Sequence, residues 1–174
     1  MASFEKYHPI MSAHYTMDWL TSFTVKEIFA LRHDPAVAAA SGRLPDDQIT
    51  DTVTYVNQAM RLVMSNQALL YGIQDRLTTA FLGTFGLFDV TDNQAEVRFE
   101  LLPNVQQQGV MGEVLPRMIG FAFFELGLTQ LTAVVPENNP IAAHLLREHH
   151  FVAGDAGHFT LTPADIGNDP EYQF

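Results

Sequence analysis

Between residues 95 and 113 the chain gathers the residue types that chemistry needs. Glu96, Arg98 and Glu100 alternate with apolar neighbours in Ala95-Glu96-Val97-Arg98-Phe99-Glu100-Leu101. Such alternation marks a half-buried strand with its three charges on one face. Either glutamate can take a proton from a nucleophile as a general base; the bland alternative is a solvated face or an ion pair with Arg98. Pro103 ends the strand, and Gln106-Gln107-Gln108-Gly109-Val110-Met111-Gly112-Glu113 leads into an apolar stretch, helical from about Val110 to Leu126 and closed by Gly127. A glycine-bearing turn from strand to helix exposes backbone N–H groups at the positive end of the helix dipole, where phosphate or pyrophosphate binds. Gly109 and Gly112 permit close approach to the backbone. No Gly-Lys-Ser/Thr follows, and the glycine spacing is not that of a dinucleotide fingerprint. Glu113, in the first turn, suits the dipole and needs no catalytic explanation.

The elements that must position these residues follow from periodicity. Residues 1–14 read as irregular, Tyr15–Leu20 as a short strand, and Thr24 as the cap of a helix over Val25–His33 that Asp34-Pro35 stops. Ala36–Leu44 reads as a loop. A long helix runs from Asp46 or Asp47 to about Ser65, its apolar face being Ile49, Val53, Val56, Met60 and Val63. Strands over Ala68–Ile73, Thr79–Val90 and Glu96–Leu101 form an antiparallel meander, with Gly83 and Gly86 placed where another backbone comes close or a bulge is needed. After the glycine-loop helix come a strand at Leu131–Val135, a helix opened by Asn139-Pro140 and ending near His149, and a hairpin of Phe151–Gly154 with His158–Leu161. The fold class is α/β (α+β), one domain over 1–174 with 1–14 and 163–174 peripheral.

Composition narrows the chemistry. With 47% hydrophobic and 17% charged residues in 174, the chain can fill a core and is not disordered. A formal charge of -11 repels phosphate backbones, which argues against nucleic acid and is compatible with cationic amines. Without cysteine there is no thiolate nucleophile, disulfide or cysteine-held metal. His149 and His150 are adjacent and His144 is five residues from His149, so no pair stands three or four apart on one helix face; no metal is expected. No segment approaches the ~18 apolar residues that span a bilayer, and Met1–Lys6 holds no apolar run of signal-peptide length. The expectation is no membrane and a cytoplasmic location.

Several landmarks agree in order with one family. Tyr71-Gly72-Ile73 and Leu82-Gly83-Thr84-Phe85-Gly86-Leu87 are similar to its paired strands "a-I…I-G-x-x-G-L". Ala95 to Pro103 matches "A-E-I-G-Y-x-L-x-P", and Gln106 to Met111 lies on "Q/R-x-x-G-x-G/A". Glu113-Val114-Leu115 with Phe121-Ala122-Phe123 continues "E-A-L…F-A-F"; Asn139, Ala142, Leu145, Leu146 and Phe151 fit "N-x-x-S/A…L…G-F". Over about residues 10–162 the chain resembles the GNAT superfamily of N-acetyltransferases, in the subgroup akin to ribosomal-protein N-terminal acetyltransferases.

The resemblance implies a mixed, mostly antiparallel sheet of six to seven strands flanked by about four helices. It implies acetyl-CoA as co-substrate and direct transfer of acetyl to a primary amine, a protein N-terminus or a small molecule, with a homodimer common among relatives. It places the cofactor on the backbone of Leu101 and Leu102, one of whose N–H groups acts like an oxyanion donor. Gln107, Gln108, Gly109, Val110, Met111 and Gly112 hold its pyrophosphate, and Asn139 either contacts it or only caps a helix. Glu96 and Glu100 are the candidate catalytic bases. Departures are visible too. Met111 replaces a small loop residue and is expected to crowd the pyrophosphate unless Gly112 takes over. The loop has no Lys or Arg, Arg117 being the nearest. Leu146 and Ala142 stand where relatives carry a tyrosine or serine acid, and His150 stands for the glycine of "G-F". A catalytically silent acyl-CoA-binding sensor or interaction module is the alternative.

Overall fold

A computed structural model describes residues 3–174. One eight-stranded sheet organises them, with the strands in the order β1 (Ile10–Met11), β2 (Tyr15–Trp19), β3 (Leu69–Asp75), β4 (Phe81–Phe88), β5 (Gln94–Leu101), β6 (Gln130–Val134), β8 (His158–Leu161) and β7 (Val152–Ala153). Neighbours are antiparallel except β5 and β6, which run parallel. The mixed, mostly antiparallel class is as expected. The count exceeds six to seven because Ile10 and Met11, inside the segment expected to be irregular, pair with Met17 and Thr16 as an added edge strand. Met1 and Ala2, also in that segment, lie outside the described residues.

Six α-helices accompany the sheet: α1 (Val25–His33), α2 (Pro35–Ala40), α3 (Ile49–Met64), α4 (Val110–Gly120), α5 (Pro140–Glu148) and α6 (Pro163–Ile166). Thr24 caps α1 through a reciprocal box with Glu27. Asp34-Pro35 both stops α1 and starts α2: the Asp34 carboxylate accepts from the N–H groups of Ala36 and Val37, and proline suits the first helical position. The loop expected over Ala36–Leu44 is therefore helical in its first half. In α3 the buried face is Thr52, Val56, Ala59 and Val63, while Ile49 and Val53 are exposed. The face is rotated from the apolar stripe because the Thr52 hydroxyl donates to Asp46 (2.7 Å), which removes the penalty of burying it. The expected helix over residues 110–126 is α-helical only to Gly120; Phe121–Glu125 forms a π-helical turn. The closing residues, expected to be peripheral, bury Ile166 and Tyr172 in the main core.

Close approach explains the strand glycines. A Cβ on Gly83 would lie 2.1 Å from the Glu100 carbonyl oxygen, and one on Gly72 would lie 2.4 Å from the Phe23 ring. A Cβ on Gly86 would meet the Phe88 ring at 2.4 Å. Gly86 therefore lets that ring lie flat along the sheet beside Arg98, its cross-strand neighbour. The Arg98 guanidinium stands 4.3 Å from the ring centroid.

Candidate active site

The parallel strands β5 and β6 pair only at Gln94–Gln130, Ala95–Leu131 and Glu96–Thr132, then diverge. Beyond Glu96 the edge of β5 is open. Antiparallel pairing decides which groups face the opening, because successive N–H groups point to opposite sides. Leu102 donates to Leu82 of β4, so its N–H is already committed. By alternation the N–H groups of Phe99 and Leu101 face the gap. The Leu101 carbonyl, on the same side, accepts from Gln106 Nε2 at 3.0 Å. Of the two leucines expected to offer a donor, only Leu101 has one to offer.

Beside this open edge stands the start of α4. Gly109 sits just before it with φ +85°, a left-handed conformation that glycine adopts without strain. The first helical bond runs from the Glu113 N–H to the Gly109 carbonyl, at 3.2 Å. The N–H groups of Val110, Met111 and Gly112 therefore have no helical acceptor, as helix geometry requires. A Cβ at Gly109 or Gly112 would meet nothing within 4 Å. The side chains of Val110 and Met111 are buried in the main core. The Met111 side chain turns inward, and Gly112 leaves the approach to these N–H groups open. These residues, with Phe99, Leu101, Gln107 and Asn139, line a cavity of about 370 Å³. Gln108 lies off its wall, its amide donating to Asn104.

A second cavity, of about 670 Å³, lies on the charged face of β5. The two share Ala40, Ser41, Phe99, Glu100, Asn139 and Ala142 as walls, so they meet across the splayed edge. The candidate bases face the larger one. Both oxygens of Glu100 accept from Arg43, at 2.7 and 2.9 Å, and Arg43 also donates to the Arg32 carbonyl. Burial works against the Arg43 charge, but the hydrogen bond and charge of Glu100 outweigh it and hold the guanidinium more basic than usual. Glu96 pairs with Arg98 through one oxygen, Oε2, and Oε1 has no partner among the described residues. Burial raises the Tyr55 phenol above its ordinary value, with Glu100 adding to the rise and Arg32, Arg43 and Arg98 opposing it.

Asn139 has both helix-capping and bridging contacts. Its Oδ1 accepts from the Ala142 N–H (3.1 Å), and its Nδ2 donates to the Ala40 carbonyl (3.0 Å). Asn138 similarly reaches Ala39. The end of α2 is thus fastened to the start of α5 and, through Arg43 just beyond it, to β5. Arg43 and Tyr55 were not singled out from sequence, and no local spacing marks them: Arg43 meets Glu100 across 57 positions. Glu113 points away from both cavities. It accepts from Ser12 Oγ (2.5 Å), the His14 N–H (2.9 Å) and His14 Nδ1 (2.6 Å). Burial pulls its carboxyl up, but these hydrogen bonds prevail and hold it below the usual range. Leu146 is buried in the core and Ala142 lacks a polar group, so neither supplies a proton.

A sheet splayed beside a helix N-terminus, with two cavities meeting at the gap, sets unpaired backbone N–H groups and carboxylates within reach of one another. Residues 17–152 match the model of the acetyltransferase (GNAT) domain, and the chain belongs to that family. It is similar to YoaA, an uncharacterised N-acetyltransferase of Bacillus subtilis strain 168, at 25% identity over 134 residues, 76% of each chain. Among solved structures it is similar to the spermidine N-acetyltransferase of Vibrio cholerae in complex with CoA and spermine. That match has a TM-score of 0.77 and 17% identity, covering 88% of this chain and 98% of the other. It is also similar to RimL, a ribosomal L7/L12 α-N-protein acetyltransferase, with a TM-score of 0.77 and 14% identity over 89% and 94% of the two chains. The chain is an acetyltransferase of the N-acetyltransferase type.

Proposed function

We propose that this chain, working as one domain, moves the acetyl group of acetyl-CoA directly to a primary amine, a protein N-terminus or a small-molecule amine. The observation that carries the proposal is the open edge of β5, flanked by the free N–H groups of α4 and joining the two cavities. Pyrophosphate would lie on the backbone of Gln107 to Gly112, with Gln108 shaping the loop. The thioester oxygen would take the Leu101 N–H, while Leu102 anchors the strand to β4. Asn139 would border the pantetheine arm. The amine nitrogen attacks the thioester carbon, the N–C bond forms and the C–S bond breaks. The amine proton passes to Glu96 Oε1, directly or through water; CoA leaves as its thiolate and takes up a proton from water, and Glu96 returns its own to solvent. Glu100, held by Arg43, shapes the acceptor side.

The test is a calorimetric titration with acetyl-CoA and with free CoA, followed by thiol release over an amine panel. Micromolar binding with turnover supports the proposal, and absence of binding at millimolar acetyl-CoA ends it. A silent acyl-CoA-binding module is the second reading, favoured by the saturated Glu100 carboxylate and the aliphatic Leu146 and Ala142. Binding without transfer to any amine would select it.

A further inference from the structure

The acceptor cavity has a charge pattern that restricts what can enter it. Its inner charges are matched within the chain. Arg43 holds Glu100, Arg98 holds Glu96, and Arg32 donates to Asp46 at 2.8 and 3.2 Å. Glu137, an exposed residue, is the lining carboxylate with no ion pair among the described residues. A second ammonium carried into the inner part of this cavity would lose water and find both carboxylates there, Glu96 and Glu100, already paired with arginine, a costly burial.

One cation is only half engaged. Arg98 is 56% exposed, against 20% for Arg43 and 12% for Arg32. Its Nε and Nη2 share the single oxygen Glu96 Oε2, and Nη1 makes no hydrogen bond among the described residues. A guanidinium braced on the Phe88 ring with free N–H groups is a reader of carboxylates. Around it the wall is apolar, including Leu70, Val97 and Val135, and the Tyr55 ring lies 3.5 Å beneath the Arg32 guanidinium. The volume is within the ~300–1,000 Å³ of small-molecule sites.

Resting on the acetyl-transfer reading, we propose that the acceptor is a small zwitterionic amine, a primary amine beside a carboxylate on an apolar body, and that Arg98 is its specificity-determining residue. The carboxylate takes the free N–H groups of Arg98, and the amine lies toward the splayed edge.

The probes are L-phenylalanine, L-phenylalaninamide, which lacks the carboxylate, and spermidine. Each is measured for binding by calorimetry and for acetyl-CoA-dependent thiol release. The proposal expects the acid to be preferred over the amide at least tenfold in kcat/KM. Arg98→Gln should abolish that preference by raising KM for the acid at least tenfold more than for the amide, and Arg98→Lys should not restore it, because the fork is lost. The ratio of acid to amide cancels any general damage to folding or to Glu96. Binding of the acid that depends on Arg98, without thiol release, keeps the acceptor assignment and discards acetyl transfer. Thiol release as fast with the amide, or fastest with spermidine, keeps acetyl transfer and overturns the acceptor assignment. Failure of the acid to bind or react overturns it as well.

Discussion

Replacing Gly112 by alanine separates folding from cofactor binding, because the two respond in opposite directions. Gly112 is the third residue of α4 and its φ is not left-handed, so alanine fits the helical backbone without strain. Its Cβ would meet no atom within 4 Å. Alanine in place of a helical glycine stabilises by about 0.5–1 kcal/mol. For a chain of this size that raises Tm by roughly 1–4 °C. The same methyl is added to the wall of the 370 Å³ cavity, on the turn that carries the free N–H groups. If pyrophosphate sits there, it must withdraw and lose a charge-assisted hydrogen bond, about 1.5–3 kcal/mol, or ten- to a hundredfold in Kd. Thermal melts and calorimetric titration of acetyl-CoA on the same preparation measure both effects. The variant should be more stable and bind more weakly. A more stable variant with parental affinity would refute the placement of pyrophosphate on α4. Gly109→Ala is the companion: with φ +85° it should lose about 1–2 kcal/mol of stability, so its weaker binding alone would decide less.

Three further outcomes are expected. Glu96→Gln should lower kcat by roughly 10²–10⁴ while leaving the acetyl-CoA Kd unchanged; a turnover loss of less than threefold would move the base elsewhere. His150 has φ 72°, in the left-handed region that favours glycine, so His150→Gly should stabilise by about 1 kcal/mol, and a lowered Tm would show that its contacts with the C-terminal segment outweigh the strain. His149 is buried with Nδ1 2.9 Å from the Tyr172 hydroxyl, and burial depresses its pKa despite the opposing charge of Glu171. Its neutral form is favoured in the fold, so its contribution is complete above the ordinary value near 6.5. It falls away as pH drops below that, by at most about 1.4 kcal/mol per pH unit. Melts between pH 5 and 8 should show this slope in the parent and a flatter one in His149→Gln; parallel slopes would place the sensitivity in other groups.

Local patterning determined much of this protein. Alternation marked β5 and its charged face, the glycine turn marked the start of α4, and Thr24 and Asn139 marked helix starts, because each of these features is set by neighbours a few residues away. The same local logic missed α2, where Asp34-Pro35 serves two helices, and misread the face of α3, where a distant carboxylate makes Thr52 fit for burial. The site itself was half legible. Residue types singled out Glu96, Glu100 and the glycine loop as candidates, but only tertiary structure showed that Arg43 holds both Glu100 oxygens, that Leu102 N–H is committed to Leu82 while Leu101 is not, and that Met111 turns into the core. Those facts depend on strand register and on ion pairs between segments far apart in sequence. The cavities arise where β5 and β6 part, and no short stretch of chain encodes that parting.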